Sequence, residues 1–167
     1  MAGGRELSIL IDTGVFFAFY NRRDVHHLDS ICLLTHILEG RWGRPFTTIL
    51  VISEVTTLLR FRLGIATAEA FLGALQESGI SLIFVDEDLY KMTVEVLHQY
   101  RDRPLSFTDA NIIATMKTLG IEHLASYDER AFAGLVPSII GRGYSATLTR
   151  DELNRILDMV RRFVPTY

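Results

Sequence analysis

The sequence predicts an α/β fold: a central, mostly parallel sheet flanked by helices, with an extra helix at the C-terminal end. Short apolar runs at residues 7–11, 80–85 and 123–127 alternate with longer segments whose apolar residues recur at helical spacing. The intervening segments are long enough for the right-handed crossovers that parallel strands need. Each run stops at an aspartate; Asp12 and Asp128 stand out, since Asp86 belongs to an acidic cluster, 86–88, that serves the start of the next helix. In sheets of this class ligands collect at the carboxyl ends of strands.

Taken in order, residues 7–11 (LSILI) read as a buried strand ending at Asp12-Thr13-Gly14, and residues 15–20 as a short apolar helix. Leu28, Ile31, Leu34 and Leu38 mark a helix within 24–39, stopped by Gly40. Pro45, Phe46 and Thr47 form a brief extended piece. A helix from Thr48 carries Val51, Val55, Leu58 and Leu59 and ends before Gly64; another spans 67–77. The run 80–85 (ISLIFV) reads as a second buried strand, and Asp88 as the cap of a helix reaching Tyr100. Ser106 and Asp109 resemble a capping box for a helix stopped by Gly120. A third strand covers 123–127 and a further short one lies near 138–140. Thr149 and Glu152 resemble a second capping box, for a helix bearing Leu153, Ile156, Leu157 and Val160.

With 167 residues the chain fits one compact domain, and 49% apolar with 22% charged residues excludes a disordered chain. No apolar run approaches the ~20 residues that cross a bilayer, and residues 1–11 contain no signal-peptide core. A cytoplasmic location is the expectation. The one cysteine, Cys32, excludes an internal disulfide and a thiolate zinc site, and is expected in the core. A net charge of −3 argues against a general nucleic-acid binder. The cations are nearly all arginines, several in pairs: Arg22/Arg23, Arg41/Arg44, Arg60/Arg62, Arg101/Arg103 and Arg161/Arg162. Such forks suit phosphate, although a solvated face with local salt bridges accounts for them equally well.

Four acids stand at informative places. Asp12 separates two apolar runs and needs a polar or ionic partner. Glu54 lies beside the buried stripe of its helix rather than opposite it. Asp109 occupies the first turn of its helix, and Asp128 ends a strand. Each has a structural alternative: a turn or helix cap for Asp12 and Asp109, a packed stem for Glu54, a local salt bridge with Arg130 for Asp128. Several carboxylates without His or Cys are the donor set of a hard cation, Mg²⁺ or Mn²⁺, which also bridges to phosphates.

Asp12-Thr13 after a strand, Ser53-Glu54 on a helix, Leu105-Ser106-Phe107-Thr108-Asp109-Ala110 opening a later helix, and Ser126-Tyr127-Asp128 after a strand resemble a PIN domain, particularly the VapC-like toxins. The resemblance covers roughly residues 7–136. It implies a Mg²⁺- or Mn²⁺-dependent endoribonuclease, often a homodimer and paired with an antitoxin. Asp12, Glu54 and Asp109 match its most constant acids, Asp128 its more variable fourth, and Thr13 and Ser126 its adjoining polar positions. Ser126 stands where threonine is commoner, and Gly14 where a small polar residue is frequent.

The expected organisation is a catalytic segment, 1–136, and an extension, 137–167, packed on the domain or at a dimer interface. RNA is the expected substrate. Two other readings compete: a non-catalytic PIN-like scaffold that binds RNA or protein, and a phosphotransfer enzyme that forms an aspartyl phosphate on Asp12. The second lacks the Asp it would need at Gly14 and a strand-end lysine. His26 and His27 read as surface histidines at a helix start.

Overall fold

The computed structural model describes residues 7–163; residues 1–6 and 164–167, the outer ends of the two expected segments, lie outside the described residues. Among these, β1 (Ser8–Ile11), β2 (Arg44–Thr48), β3 (Ser81–Ile83), β4 (His123–Ser126) and β5 (Ser138–Gly141) form one parallel sheet in the order β3-β2-β1-β4-β5. The helices are α1 (Thr13–Tyr20), α2 (His27–Leu38), α3 (Ile49–Leu63), α4 (Ile65–Glu77), α5 (Glu87–Gln99), α6 (Phe107–Leu119), the single turn α7 (Glu129–Phe132) and α8 (Arg150–Phe163). A 3₁₀ turn, Tyr144–Thr147, precedes α8.

All four residues of β1 are buried, as a central strand covered on both faces requires. The chain builds β2 and β3 on one side of β1 and then returns to build β4 and β5 on the other. The direction of winding therefore reverses between β1 and β4, and a crevice opens outside their carboxyl ends. Ile11 pairs with Ala125, which brings those two ends level. The Asp12 N–H extends the ladder by donating to Ala125 O at 3.0 Å.

The core explains why the helices stay where the sheet needs them. Ile31, Cys32, Leu33 and Ile37 of α2 and Ile112 and Ile113 of α6 are fully or almost fully buried. Each of these Ile and Leu side chains is worth about 1.5–3 kcal/mol of apolar transfer. Phe16 of α1 meets Phe71 of α4 edge to face, with centroids 5.3 Å apart. Ile156 of α8 is buried as well. Polar contacts tie α8 to α2 and the turn after it: Arg155 to Glu39 at 2.7 Å, and Glu152 to Arg41 at 2.8 Å and to His36 Nε2 at 2.9 Å.

Three local expectations are corrected. The cap of α5 is Asp86, whose carboxylate accepts from Leu89 N at 2.8 Å, and not Asp88. β3 stops at Ile83, so the chain turns earlier and Glu87 and Asp88 fall in the first helical turn, where the positive helix end favours them. The run 80–85 is half-buried rather than buried, because β3 is an edge strand, and Phe84 beyond it is 66% exposed. Only half of the second capping box forms. Thr149 Oγ1 accepts from Glu152 N at 3.2 Å, but the Glu152 carboxylate is taken by Arg41 and His36.

Candidate metal centre

Asp12 leaves β1 in extended conformation and caps α1: Oδ1 accepts from Thr13 N at 2.7 Å. Its other oxygen, Oδ2, accepts from Ser126 Oγ at 2.7 Å across the crevice. Ser126 Oγ in turn accepts from Asp128 N at 3.1 Å, so one hydroxyl orients the acid of β1 and the backbone that carries the acid after β4. Thr13 reaches the other way, its Oγ1 donating to Glu54 Oε2 at 2.8 Å. Thr48 starts α3 by accepting from Val51 N, which sets the phase that leaves Glu54 half-buried beside the apolar stripe.

Asp109 belongs to a complete capping box on α6. Ser106 Oγ accepts from Asp109 N at 3.0 Å, while Asp109 Oδ2 accepts from Ser106 N at 2.8 Å. Asp128 caps α7 through Ala131 N at 3.0 Å. The capping alternatives for Asp12 and Asp109 are thus real, and Asp128 caps as well, although a salt bridge was its expected alternative. Capping does not withdraw these acids from the crevice: Asp12, Glu54, Asp109 and Asp128 all line one cavity of about 470 Å³, with Thr13, Gly14, Tyr127, Glu129, Arg130 and Arg142.

The charges in that cavity are unfavourable to one another. Burial pushes the Asp12 carboxyl up from 3.8 to about 6; hydrogen bonds from Ser126 and Thr13 pull against this, and the charges of Asp109 and Glu54 add to it. Asp109 is also raised, by burial first and by Asp128 and Glu54 as neighbours, against its bonds to Ser106. Among the described residues no group of three or more Asp, Glu, His or Cys side chains is arranged to ligate one ion directly. Zinc is poorly matched, since no Cys or His lines the cavity. The oxygen donors and the raised Asp12 suit Mg²⁺ or Mn²⁺ instead. Mg²⁺ in particular keeps several waters and needs only one or two direct carboxylates.

Sequence reasoning does not single out four lining residues, Tyr127, Glu129, Arg130 and Arg142. Arg130 carried a signal, two positions after Asp128. Arg142 carried none, and neither is among the arginine pairs. His26 stacks on Tyr127 with centroids 4.1 Å apart, and His27 Nδ1 lies 2.7 Å from Ala18 O, so these histidines brace α1, α2 and β4. A Cβ on Gly14 would make only ordinary contact with the Tyr127 ring, so space does not require glycine there. Cys32 is fully buried, and burial raises its thiol to about 11.

Residues 9–135 match the PIN domain family. The chain is 37% identical to a VapC ribonuclease of Archaeoglobus fulgidus over 157 residues, 93% of this chain and 96% of the relative. It resembles the crystal structure of Mycobacterium tuberculosis VapC20, a sarcin-ricin loop cleaving toxin, at 27% identity and a TM-score of 0.65, over 77% of this chain and 97% of that one. The FitAcB structure from Neisseria gonorrhoeae shares the fold at 18% identity and a TM-score of 0.57, over 79% of this chain and 96% of that one. The family match spans most of the sequence and the ribonuclease relative nearly all of it: the chain belongs to the PIN domain family.

Proposed function

We propose that this protein is a Mg²⁺- or Mn²⁺-dependent endoribonuclease that hydrolyses RNA phosphodiester bonds at the cavity beyond β1 and β4. The observation that carries the reading is that four carboxylates from four separate segments line one cavity at the point where strand order reverses. Asp12, Glu54 and Asp109 are the residues to hold the ion, one or two of them directly and the rest, with Asp128, through its waters. When bound, such an ion supplies Lewis-acid stabilisation of phosphate charge and activation of water at neutral pH.

The chain's own residues prepare the site. Thr13 and Ser126 each donate a hydroxyl hydrogen to a carboxylate oxygen, which fixes Glu54 and Asp12 and leaves their remaining lone pairs for a cation. Asp109 and Asp128 are held by backbone N–H groups at helix starts, so their rotamers are set before any ligand arrives. Asp12 must lose its proton to bind an ion, so the affinity for the ion should weaken below about pH 6.

The similarity to VapC ribonuclease supports an RNA substrate, and the likeness to the VapC20 toxin supports an antitoxin protein as partner. A homodimer and a cytoplasmic location belong to the same reading. Among the described residues no helix is long and apolar enough to cross a membrane. We read the described part of the 137–167 extension, 137–163, as docking on its own domain through β5 and α8. The functional test is Mn²⁺-dependent cleavage of RNA by the wild type and by Asp12→Asn and Asp109→Asn, each checked for folding. Loss of cleavage in both is expected; undiminished cleavage in either refutes the assignment.

A further inference from the structure

The acid cavity has a second chemistry along one edge. Arg130 and Arg142 line it together with the four carboxylates and Glu129, and both arginines are exposed. An arginine beside so much negative charge ordinarily closes an ion pair. Here neither guanidinium pairs with a carboxylate among the described residues. Their placement comes from the backbone instead.

Arg130 rides on α7. The carbonyls of Arg130, Ala131 and Ala133 all accept from Arg103 Nη2, at 2.9, 3.2 and 3.0 Å, which fixes that short turn against the loop before α6. Arg142 follows β5 directly, and its Nη2 donates to Tyr127 O at 3.5 Å. Gly141 permits the approach, because a Cβ there would collide with the Ser126 carbonyl. Arg142 also lies beyond the residues that match the family. Two cations are thus mounted at the crevice with their donors unspent on the acids beside them.

An RNA strand presents one phosphate per nucleotide. An ion among the carboxylates neutralises the phosphate being cleaved, but not its neighbours, which would otherwise face an acidic cavity. We propose that Arg130 and Arg142 form a phosphate subsite that holds the RNA backbone phosphate next to the one cleaved; the proposal rests on the nuclease reading above. The guanidinium fork is matched to phosphate oxygens. Single-stranded RNA is the class that can bend its backbone into such a crevice.

The test measures binding of a short, labelled single-stranded RNA to the full chain by fluorescence anisotropy, in Ca²⁺, across a salt series. Mn²⁺ calorimetry and Mn²⁺-dependent cleavage run alongside. Arg142→Ala and Arg130→Ala should each weaken RNA binding about tenfold and flatten the salt dependence by about 0.7 for the lost phosphate contact. Arg142→Lys should recover the slope but not all of the affinity, and Mn²⁺ binding should be unchanged in all three. Unchanged RNA affinity and slope in both alanine variants would overturn the subsite. Stronger Mn²⁺ binding with unchanged RNA affinity would overturn it too, by making the arginines neutralisers of the acids. A wild type that binds RNA through these arginines yet never cleaves it would sink the nuclease reading while upholding the RNA-backbone subsite.

Discussion

Acidic side chains do opposite work at two places in this molecule. Where α8 docks on α2, Glu39 accepts both Arg155 donors, at 2.7 and 3.1 Å, and that guanidinium holds its carboxyl below the usual range. Asp29 is opposed by burial, but bonds from Ser145 Oγ, Ser145 N and Gly143 N outweigh it and hold its carboxyl low. At the crevice, Asp12 and Asp109 are pushed up instead, by burial and by other acids. Asp12 has hydrogen bonds to both its oxygens and is still raised. The first set of acids is neutralised by the fold and stabilises it. The second is oriented by the fold and closes no ion pair with a cation of the described residues.

The largest break in that comparison is Asp12→Asn. Removing a carboxylate proposed to hold the ion should cut cleavage at least about 100-fold. The same variant should be more stable than wild type at neutral pH without metal, by up to about 3 kcal/mol, the equivalent of a carboxyl raised from 3.8 to about 6. Urea denaturation of both proteins checks this. Lower stability in the variant would mean that Asp12 serves the fold.

The pH dependence of stability should divide in the same way. Asp12 has a folded value above its unfolded one, so its contribution is complete below about pH 4 and is lost as pH rises through about 6. Asp29 and Glu39 have lowered folded values, so theirs is present above the unfolded range and lost as pH falls through the folded one. The wild-type denaturation midpoint in metal-free buffer should therefore decline relative to that of Asp12→Asn from mildly acidic to neutral pH. Saturating Mn²⁺ should remove most of that decline.

Smaller effects sharpen the contrast. Glu152→Ala strips one carboxylate from both His36 and Arg41 and should cost about 1–2 kcal/mol of stability. Mn²⁺ affinity should not change, because the residue lies outside the cavity. Ser126→Ala is the converse: it frees Asp12 Oδ2 and should weaken Mn²⁺ binding by roughly tenfold, measured by calorimetry, with only about 1 kcal/mol lost from the fold.

Much of the site was legible because its chemistry follows element boundaries. Asp12 and Asp128 end apolar runs, and Asp109 opens a helix behind a serine, so each was found by asking where a strand or helix must stop. The same question offered capping as a rival role for Asp12 and Asp109, yet these acids cap and line the cavity together, and Asp128 does so as well. What escaped depends on distance in the chain. Whether Asp86 or Asp88 caps α5 is decided by where β3 loses its partner β2, not by local pattern. Glu152 abandons its own helix start because Arg41 and His36 are brought to it by packing. Arg142 reaches the crevice only because β5 pairs with β4 and Gly141 lets them close, and no local spacing encodes that.

The most direct measurement is a calorimetric Mn²⁺ titration of the full chain near pH 5.5 and pH 7.5, repeated in buffers of different ionisation enthalpy. With Asp12 titrating at about 6, the account predicts saturable binding that releases protons at the lower pH and few at the higher. Asp12→Asn should reduce that release and weaken the binding. No saturable heat in the wild type, or identical binding and proton release in the variant, would contradict it.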